Sequence, residues 1–341
     1  MAGLFFSILV IFFLGELITR VHYCLKTEQV ANPPYDHRQM DSKLGWITKP
    51  NYSYEGLMTD QSGADYKINI KTNQFGFRTF GSLKSQTKPK VLFIGDSYTH
   101  AVEVSNSKLF YNILADTLSF DCFAYGSAGY GNLQEYLILD LYIDKINPDI
   151  IILQLCSNDF IDNYAELELA SNYKIGKKRP YLTSKGEIVY TTPVPTLEKI
   201  KGYSTFVYFI GKKIENIRNK FEFSSVEPAE KRIVDKGREF ALFDHAADIT
   251  ELILQRFKER IPDKTRFLVF DSDHYQPQYD EFKVMCQKNN IQYIENVGIN
   301  VKKAQINGAI VRSHDGYHWN EAGHQIVADA IFKDLHKILH D

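Results

Sequence analysis

The stretch Val91-Leu92-Phe93-Ile94-Gly95-Asp96-Ser97-Tyr98-Thr99-His100 constrains this chain more than any other. Its apolar run follows Lys90 and stops at a glycine, the pattern of a buried strand feeding a tight turn. A serine at such a turn is lifted off the sheet edge with its hydroxyl accessible. Tyr98 to Asn112 reads as helix-compatible. A helix starting just behind Ser97 would aim free backbone N–H groups at negative charge developing there. Gly-Asp-Ser is also ordinary turn chemistry, so other segments must decide.

The same pattern recurs downstream. Phe120 to Tyr125 is a second apolar run, and Ala128 to Tyr142 combines a glycine turn with a helix. Asn147-Pro148 stops that helix, and Asp149 to Leu155 suits a central parallel strand buried on both faces. Later strands are expected over Arg266 to Phe270 and Ile291 to Ile294, with helices over Glu239 to Arg260, Tyr279 to Asn289 and Asn320 to Leu339. Such alternation predicts an α/β chain with a doubly wound parallel sheet in three α/β/α layers, functional at the strand C-terminal ends. At 341 residues the chain can hold one large α/β domain with insertions.

Ahead of this domain the pattern changes. Met1 to Thr19 is almost wholly apolar, interrupted by Ser7, Gly15 and Glu16. As a helix it would span roughly 28 Å, close to a hydrocarbon core of about 30 Å. Arg20, His22, Tyr23 and Lys26 would then form an interfacial collar. A signal peptide would want a basic n-region and a small-residue cleavage site, and neither is visible. Residues 1–26 therefore read as a transmembrane anchor. Residues 27–89 read as an extended, β-rich extension, punctuated by Pro33-Pro34, Gly45-Trp46 and Lys49-Pro50-Asn51. Tyr66 to Ile70 alternates like a strand, and Asn73-Gln74-Phe75-Gly76-Phe77-Arg78 closes as a turn. Residues 90–341 form the expected catalytic domain, with an insertion at about 163–236. That insertion holds a basic turn (Gly176-Lys177-Lys178-Arg179-Pro180), a hairpin over Tyr181 to Val194 and an amphipathic helix over Ser204 to Lys220. It reads as a specificity lid, as a membrane-facing surface or as structural padding.

A net charge of −2 and no basic stripe leave nothing for nucleic acid to bind. Cys24, Cys122, Cys156 and Cys286 lack CxxC spacing, so neither a zinc site nor a disulfide framework is indicated. No metal and no cofactor is expected.

Residues able to do chemistry gather after the strands. Ser97 follows the first. Tyr125-Gly126-Ser127-Ala128-Gly129-Tyr130-Gly131 follows the second, its glycines allowing positive φ and close backbone approach. Cys156-Ser157-Asn158-Asp159 follows the third and offers the Asn158 amide. Near the C-terminus, Asp315-Gly316-Tyr317-His318 sets a carboxylate where it can orient a ring whose other nitrogen faces the nucleophile. Blander readings fit the remaining candidates. Ser127 is a turn residue, Cys156 a small buried one, His100 a packed histidine, and His324 a ring capping or packing on the last helix. Asp271-Ser272-Asp273 imitates a phosphatase aspartate pair, but no matching acidic cluster follows, so it reads as a surface loop.

With these residues in order, the sequence resembles the SGNH hydrolases, or GDSL esterase/lipase superfamily, in its membrane-anchored bacterial form. Gly95-Asp96-Ser97 matches the serine block, Ala128-Gly129-Tyr130-Gly131 the glycine block (Gly129 first, Gly126 second), Ser157-Asn158-Asp159 the asparagine block, and Asp315-Gly316-Tyr317-His318 the Asp-x-x-His block. Cys156 departs from the Gly-x-Asn-Asp pattern, which bears on pocket shape. Leu44-Gly45-Trp46 through Phe75-Gly76-Phe77-Arg78 looks like the lead-in of anchored members. The resemblance implies a flavodoxin-like fold and acyl chemistry at cell-surface polysaccharides.

On this reading Ser97 is the nucleophile, His318 its base and Asp315 the group that fixes the ring. Backbone N–H groups of Ser97 and Gly129, with the Asn158 side chain, would hold the oxyanion. The expected activity is serine ester hydrolysis of a short, O-acetyl-like group on a carbohydrate. An O-acyltransferase on a surface polysaccharide is the alternative, and a catalytically dead glycan-binding module the least favoured reading. The expected partners are an acylated small-molecule or polysaccharide substrate and a membrane, the latter through the N-terminal helix. Arg20 and Lys26 after the span point by charge to a cytoplasmic body. The resemblance points to an extracytoplasmic domain on a single-pass anchor in the cell membrane, which is the expectation adopted.

Overall fold

A computed structural model describes residues 2–27, 37–85, 87–172, 178–190, 204–207, 209–210 and 227–340. The chain opens with helix α1 (Ala2–Thr27), over the stretch expected as an anchor. Among the described residues, however, no helix is long and apolar enough to cross a membrane. The expected transmembrane helix is to that extent corrected to a long N-terminal helix. Its one acidic residue is engaged by protein: Glu16 accepts from Ser204 Oγ at 2.7 Å and from the N–H groups of Thr205 and Phe206 at 3.1 and 3.0 Å. The collar side chains of His22, Tyr23 and Lys26 lie outside the described residues.

Two antiparallel hairpins follow, β1 (Arg38–Asp41) with β2 (Gly45–Thr48) and β3 (Ser53–Thr59) with β4 (Asp65–Lys71). Gly45 has φ +80°, and a Cβ there would lie 2.2 Å from the Lys178 carbonyl oxygen, so only glycine admits that approach. In the expected turn, Asn73 Oδ1 accepts the N–H groups of Phe75 and Phe77, each at 2.9 Å. The remaining strands in chain order are β5 (Thr79–Phe80), β6 (Lys90–Gly95), β7 (Asp121–Gly126), β8 (Ile150–Leu155), β9 (Pro180–Leu182), β10 (Ile188–Tyr190), β11 (Arg266–Asp271) and β12 (Gln292–Tyr293).

Six of these strands form one sheet in the order β12-β11-β8-β6-β7-β5. Neighbours from β12 to β7 run parallel, and β5 pairs antiparallel with β7. The expected all-parallel sheet is therefore corrected to a mixed one. The turn at Asn73–Arg78 brings the extension alongside β7 in the opposite sense and covers an edge that would otherwise be open. Because β6 lies between β7 and β8, the winding direction reverses at β6, and a crevice opens at its C-terminal end.

Helices cover both faces: α2 (Ser97–His100), α3 (Phe110–Leu118), α4 (Asn132–Ile146), α5 (Asp159–Asn163), α6 (Ala165–Ala170), α7 (Ala229–Lys236), α8 (Ala241–Arg260), α9 (Gln278–Lys288), α10 (Val297–Ile306) and α11 (Glu321–His340). Side-chain alternation sorts the core. Leu92, Ile94, Ile151 and Leu153 pack with residues of α4, α8 and α9, while Val91, Phe93, Ile150 and Ile152 pack with α3, α10 and α11. All six residues of β8 are buried, Gln154 among them, as a central parallel strand covered on both faces requires.

The helix expected from Tyr98 to Asn112 is broken. It leaves helical geometry at Ala101 (φ 46°), and the chain loops out before α3 begins. The cause is Arg78, 3% exposed, whose guanidinium collects the carbonyl oxygens of His100, Ala101 and Val104 that a longer helix would use. In the insertion, the expected hairpin is seen as β9 and β10 as far as Tyr190, and its end at 191–194 lies outside the described residues. Most of the expected Ser204–Lys220 helix, together with Gly176 and Lys177, lies outside the described residues. Helices α7 and α10 were not among the expected elements.

Candidate active site

Ser97 begins α2 at the C-terminal end of β6, and Asp96 caps that helix by accepting the Tyr98 N–H at 2.9 Å. Gly95 is fixed by crowding: a Cβ there would meet Gln154 Oε1 at 2.3 Å and Thr99 Oγ1 at 2.4 Å. Ser97 Oγ lies 2.8 Å from His318 Nε2, and His318 Nδ1 lies 2.5 Å from Asp315 Oδ2. Asp315 Oδ1 accepts from Ser313 Oγ at 2.9 Å and from the N–H groups of Tyr317 and His318 at 2.8 and 3.0 Å. Burial works to raise the Asp315 carboxyl. His318 and these backbone donors overcome it and hold the group well below the usual carboxylate range. The histidine loop is pinned from the N-terminal extension, where the His314 N–H donates to Thr59 O at 2.9 Å and the Gln61 N–H to Arg312 O at 3.1 Å.

The glycine turn follows β7, beside β6. Gly129 takes φ +78°. Its preceding carbonyl, Ala128 O, accepts from Trp46 Nε1 at 3.2 Å and Arg38 Nη1 at 3.3 Å, both from the first hairpin. Thr48 Oγ1 donates to Gly126 O at 2.7 Å, and Tyr130 Oη to Trp46 O at 2.6 Å. Gly126 is instead a packing glycine, since a Cβ there would fall 2.3 Å from the His100 nitrogen.

On the other side of β6, Asn158 follows β8 and its Nδ2 donates to Asp162 Oδ2 at 2.7 Å. Asp159 closes the turn by accepting the Cys156 N–H at 2.8 Å and Asn132 Nδ2 at 2.9 Å. Ser157 donates its N–H at 3.2 Å, and also its hydroxyl, to Asp273 Oδ2. Asp271, Ser272 and Asp273 are 2%, 0% and 8% exposed, which corrects the surface-loop expectation: the end of β11 lies against the asparagine turn. Burial pushes the Asp273 carboxyl up to about 6 against the Ser157 hydrogen bond.

Cys156 is buried, and burial pushes its thiol upward. Ser127 is buried in a turn closed by the Tyr130 N–H to Ser127 O bond at 3.1 Å. His100 is packed at 1% exposure. His324 Nδ1 accepts the Phe110 N–H at 3.3 Å, and burial pulls that ring down to about 3, leaving it neutral.

Sequence reasoning missed Glu103. Its Oε1 is 3.6 Å from His318 Nδ1, and among the described residues Glu103, Asp315 and His318 form a grouping whose ligand-type atoms all lie within 4.8 Å of one another. Trp46, Arg38 and Asp162 were also missed as supports of the site. None carries a local signal, because each acts across long sequence separation or through a neighbour. The arrangement can withdraw a proton from Ser97 through His318 and stabilise the resulting imidazolium.

No family model matches the chain, and no curated protein matches it. Among solved structures, the chain is similar to the psychrotrophic esterase EstA from Pseudoalteromonas sp., at 9% identity and a TM-score of 0.41 over 74% of this chain and 100% of that one. It is similar to Axe2, an acetylxylan esterase from Geobacillus stearothermophilus, at 11% identity and a TM-score of 0.40 over 72% and 94%. A third is an alpha/beta hydrolase enzyme from the metagenome of Lake Arreo, Spain, at 10% identity and a TM-score of 0.40 over 76% and 100%.

Proposed function

We propose that this protein is a serine ester hydrolase of the SGNH type, acting through Ser97, His318 and Asp315. The observation that carries the reading is the unbroken line from Ser97 Oγ to His318 Nε2 at 2.8 Å and from His318 Nδ1 to Asp315 Oδ2 at 2.5 Å. His318 takes the hydroxyl proton as Ser97 attacks the ester carbonyl, and Asp315 holds the ring tautomer and stabilises the imidazolium. The N–H groups of Ser97 and Gly129 and the Asn158 amide stabilise the tetrahedral oxyanion. Collapse expels the alcohol, protonated by His318, and leaves an acyl-serine. Water, deprotonated by the same ring, releases the acid.

A short acyl group on a carbohydrate is the proposed substrate; a polysaccharide hydroxyl in place of water would make the same enzyme an O-acyltransferase. Membrane attachment through α1, with the catalytic domain extracytoplasmic, belongs to the proposal. Phe13 and Ile18 of that helix are 78% and 64% exposed, apolar surface that a bilayer would cover. The test is hydrolysis of short aryl esters by wild type, Ser97→Ala and His318→Ala, with fractionation of the full chain into membrane and soluble pools. Turnover should fall by about three orders of magnitude or more in either variant. Activity surviving in both rejects the assignment.

A further inference from the structure

Arg179 sits in a run that reads as a basic turn, and it is 0% exposed. We infer that Asp162, held by Arg179 of the insertion, is a positioning residue that aims the Asn158 amide at the developing oxyanion. The inference rests on the ester-hydrolase reading of this site.

An asparagine side chain can present either its NH2 or its carbonyl oxygen, and only the first stabilises an oxyanion. Asp162 Oδ2 accepts from Asn158 Nδ2 at 2.7 Å. A carboxylate accepts only, so it holds the NH2 end and leaves that group's second N–H for substrate. Asp162 Oδ1 in turn meets Arg179 Nη1 at 2.7 Å, with side chains 4% and 0% exposed. Burial pushes the Asp162 carboxyl up to about 7; Arg179 and the Asn158 hydrogen bond oppose this, while Glu168 and Asp96 add to it. Arg179 therefore helps to keep the group an acceptor near neutral pH.

The same cation reaches the other side of the site. Its guanidinium lies 5.0 Å from the Trp46 ring, and Trp46 Nε1 donates to Ala128 O, the carbonyl just before Gly129. Arg179 Nε also stands 3.5 Å from Glu168 Oε2. One buried cation thus touches the supports of both proposed oxyanion donors outside α2. A buried ion pair can also be purely structural, so the test must separate aim from stability.

The test is a double-mutant cycle on the full chain, reading kcat and KM for an aryl acetate in wild type, Asp162→Asn, Asn158→Ala and the double variant. Asn at 162 keeps the shape but can hold the Asn158 amide either way round. It should lower kcat on the order of ten- to a hundred-fold, the scale of a small misplacement, with KM changed about two-fold or less. Asn158→Ala should cost on the order of a hundred- to a thousand-fold. The double variant should be no slower than Asn158→Ala, because aim has no value once the donor is gone. Additive losses overturn the inference. If Asp162→Asn does not fold, Arg179→Lys, which keeps a cation opposite Asp162, replaces it in the cycle: its kcat loss should vanish in the Asn158→Ala background, and persistence there overturns the inference. Wild type lacking Ser97-dependent esterase activity would instead reject the underlying functional reading. An active wild type with an additive cycle rejects only the role of Asp162.

Discussion

Glu103 Oε1 lies 3.6 Å from His318 Nδ1, the same ring nitrogen that Asp315 Oδ2 meets at 2.5 Å. The ring therefore faces two carboxylates on one side and the Ser97 hydroxyl on the other. Burial favours the neutral ring. The Glu103 charge, with the hydrogen bond and charge of Asp315, outweighs it and raises His318 to about 9.

The first prediction is an alkaline enzyme. A general base must be neutral to accept the Ser97 proton, so kcat/KM should climb with pH and level off only as the ring deprotonates near 9. Folding is linked with the opposite sense. The raised ring contributes stability that is complete below its unfolded value of about 6.5 and is lost as pH rises through about 9. A pH–rate profile of the free enzyme checks this, and a plateau already reached below pH 7 contradicts it.

Removing one of the two charges should move that profile in a known direction. Glu103→Gln keeps the side-chain shape but withdraws a negative charge that favours imidazolium. The acid limb should shift to lower pH by about one to two units, with relative activity near neutrality rising. An unmoved midpoint would show that Glu103 does not act on the ring.

A third expectation concerns the first hairpin. Trp46→Phe retains a ring under Arg179 but deletes the indole donor to Ala128 O. Ala128 O, just before Gly129, then loses one of the two side-chain donors described above. We expect kcat to fall about ten-fold with little change in KM, and stability to fall by about 1–3 kcal/mol. Steady-state kinetics and thermal melts read both, and an unchanged kcat at lowered stability would make the hairpin a purely structural support.

Much of this was legible in the sequence, for a physical reason. Val91–Ile94 and Ile150–Leu153 are buried on both faces, so their apolar runs are unbroken and name themselves as central strands. Ser97, Gly129 and Asn158 follow three strands that are consecutive in the chain, and the reversal at β6 sets those three strand ends side by side with Ser97 in the middle. What escaped depends on long-range geometry. Thr79–Phe80 is too short to show a period, yet it forms the antiparallel edge. The expected helix after Ser97 had the right composition, and Arg78 overrode it by taking its carbonyls. Arg179 lies in a basic turn, and its burial rests on Asp162, Glu168 and the Trp46 ring, which meet it only in three dimensions.

The central claim is that Ser97 is a live nucleophile activated by His318. The direct measurement is covalent labelling of the full chain with a serine-directed alkyl phosphonate, read by intact mass and peptide mapping. One adduct is expected, on Ser97, absent in Ser97→Ala and much slower to form in His318→Ala. An adduct elsewhere, or equal labelling of wild type and His318→Ala, would contradict that claim.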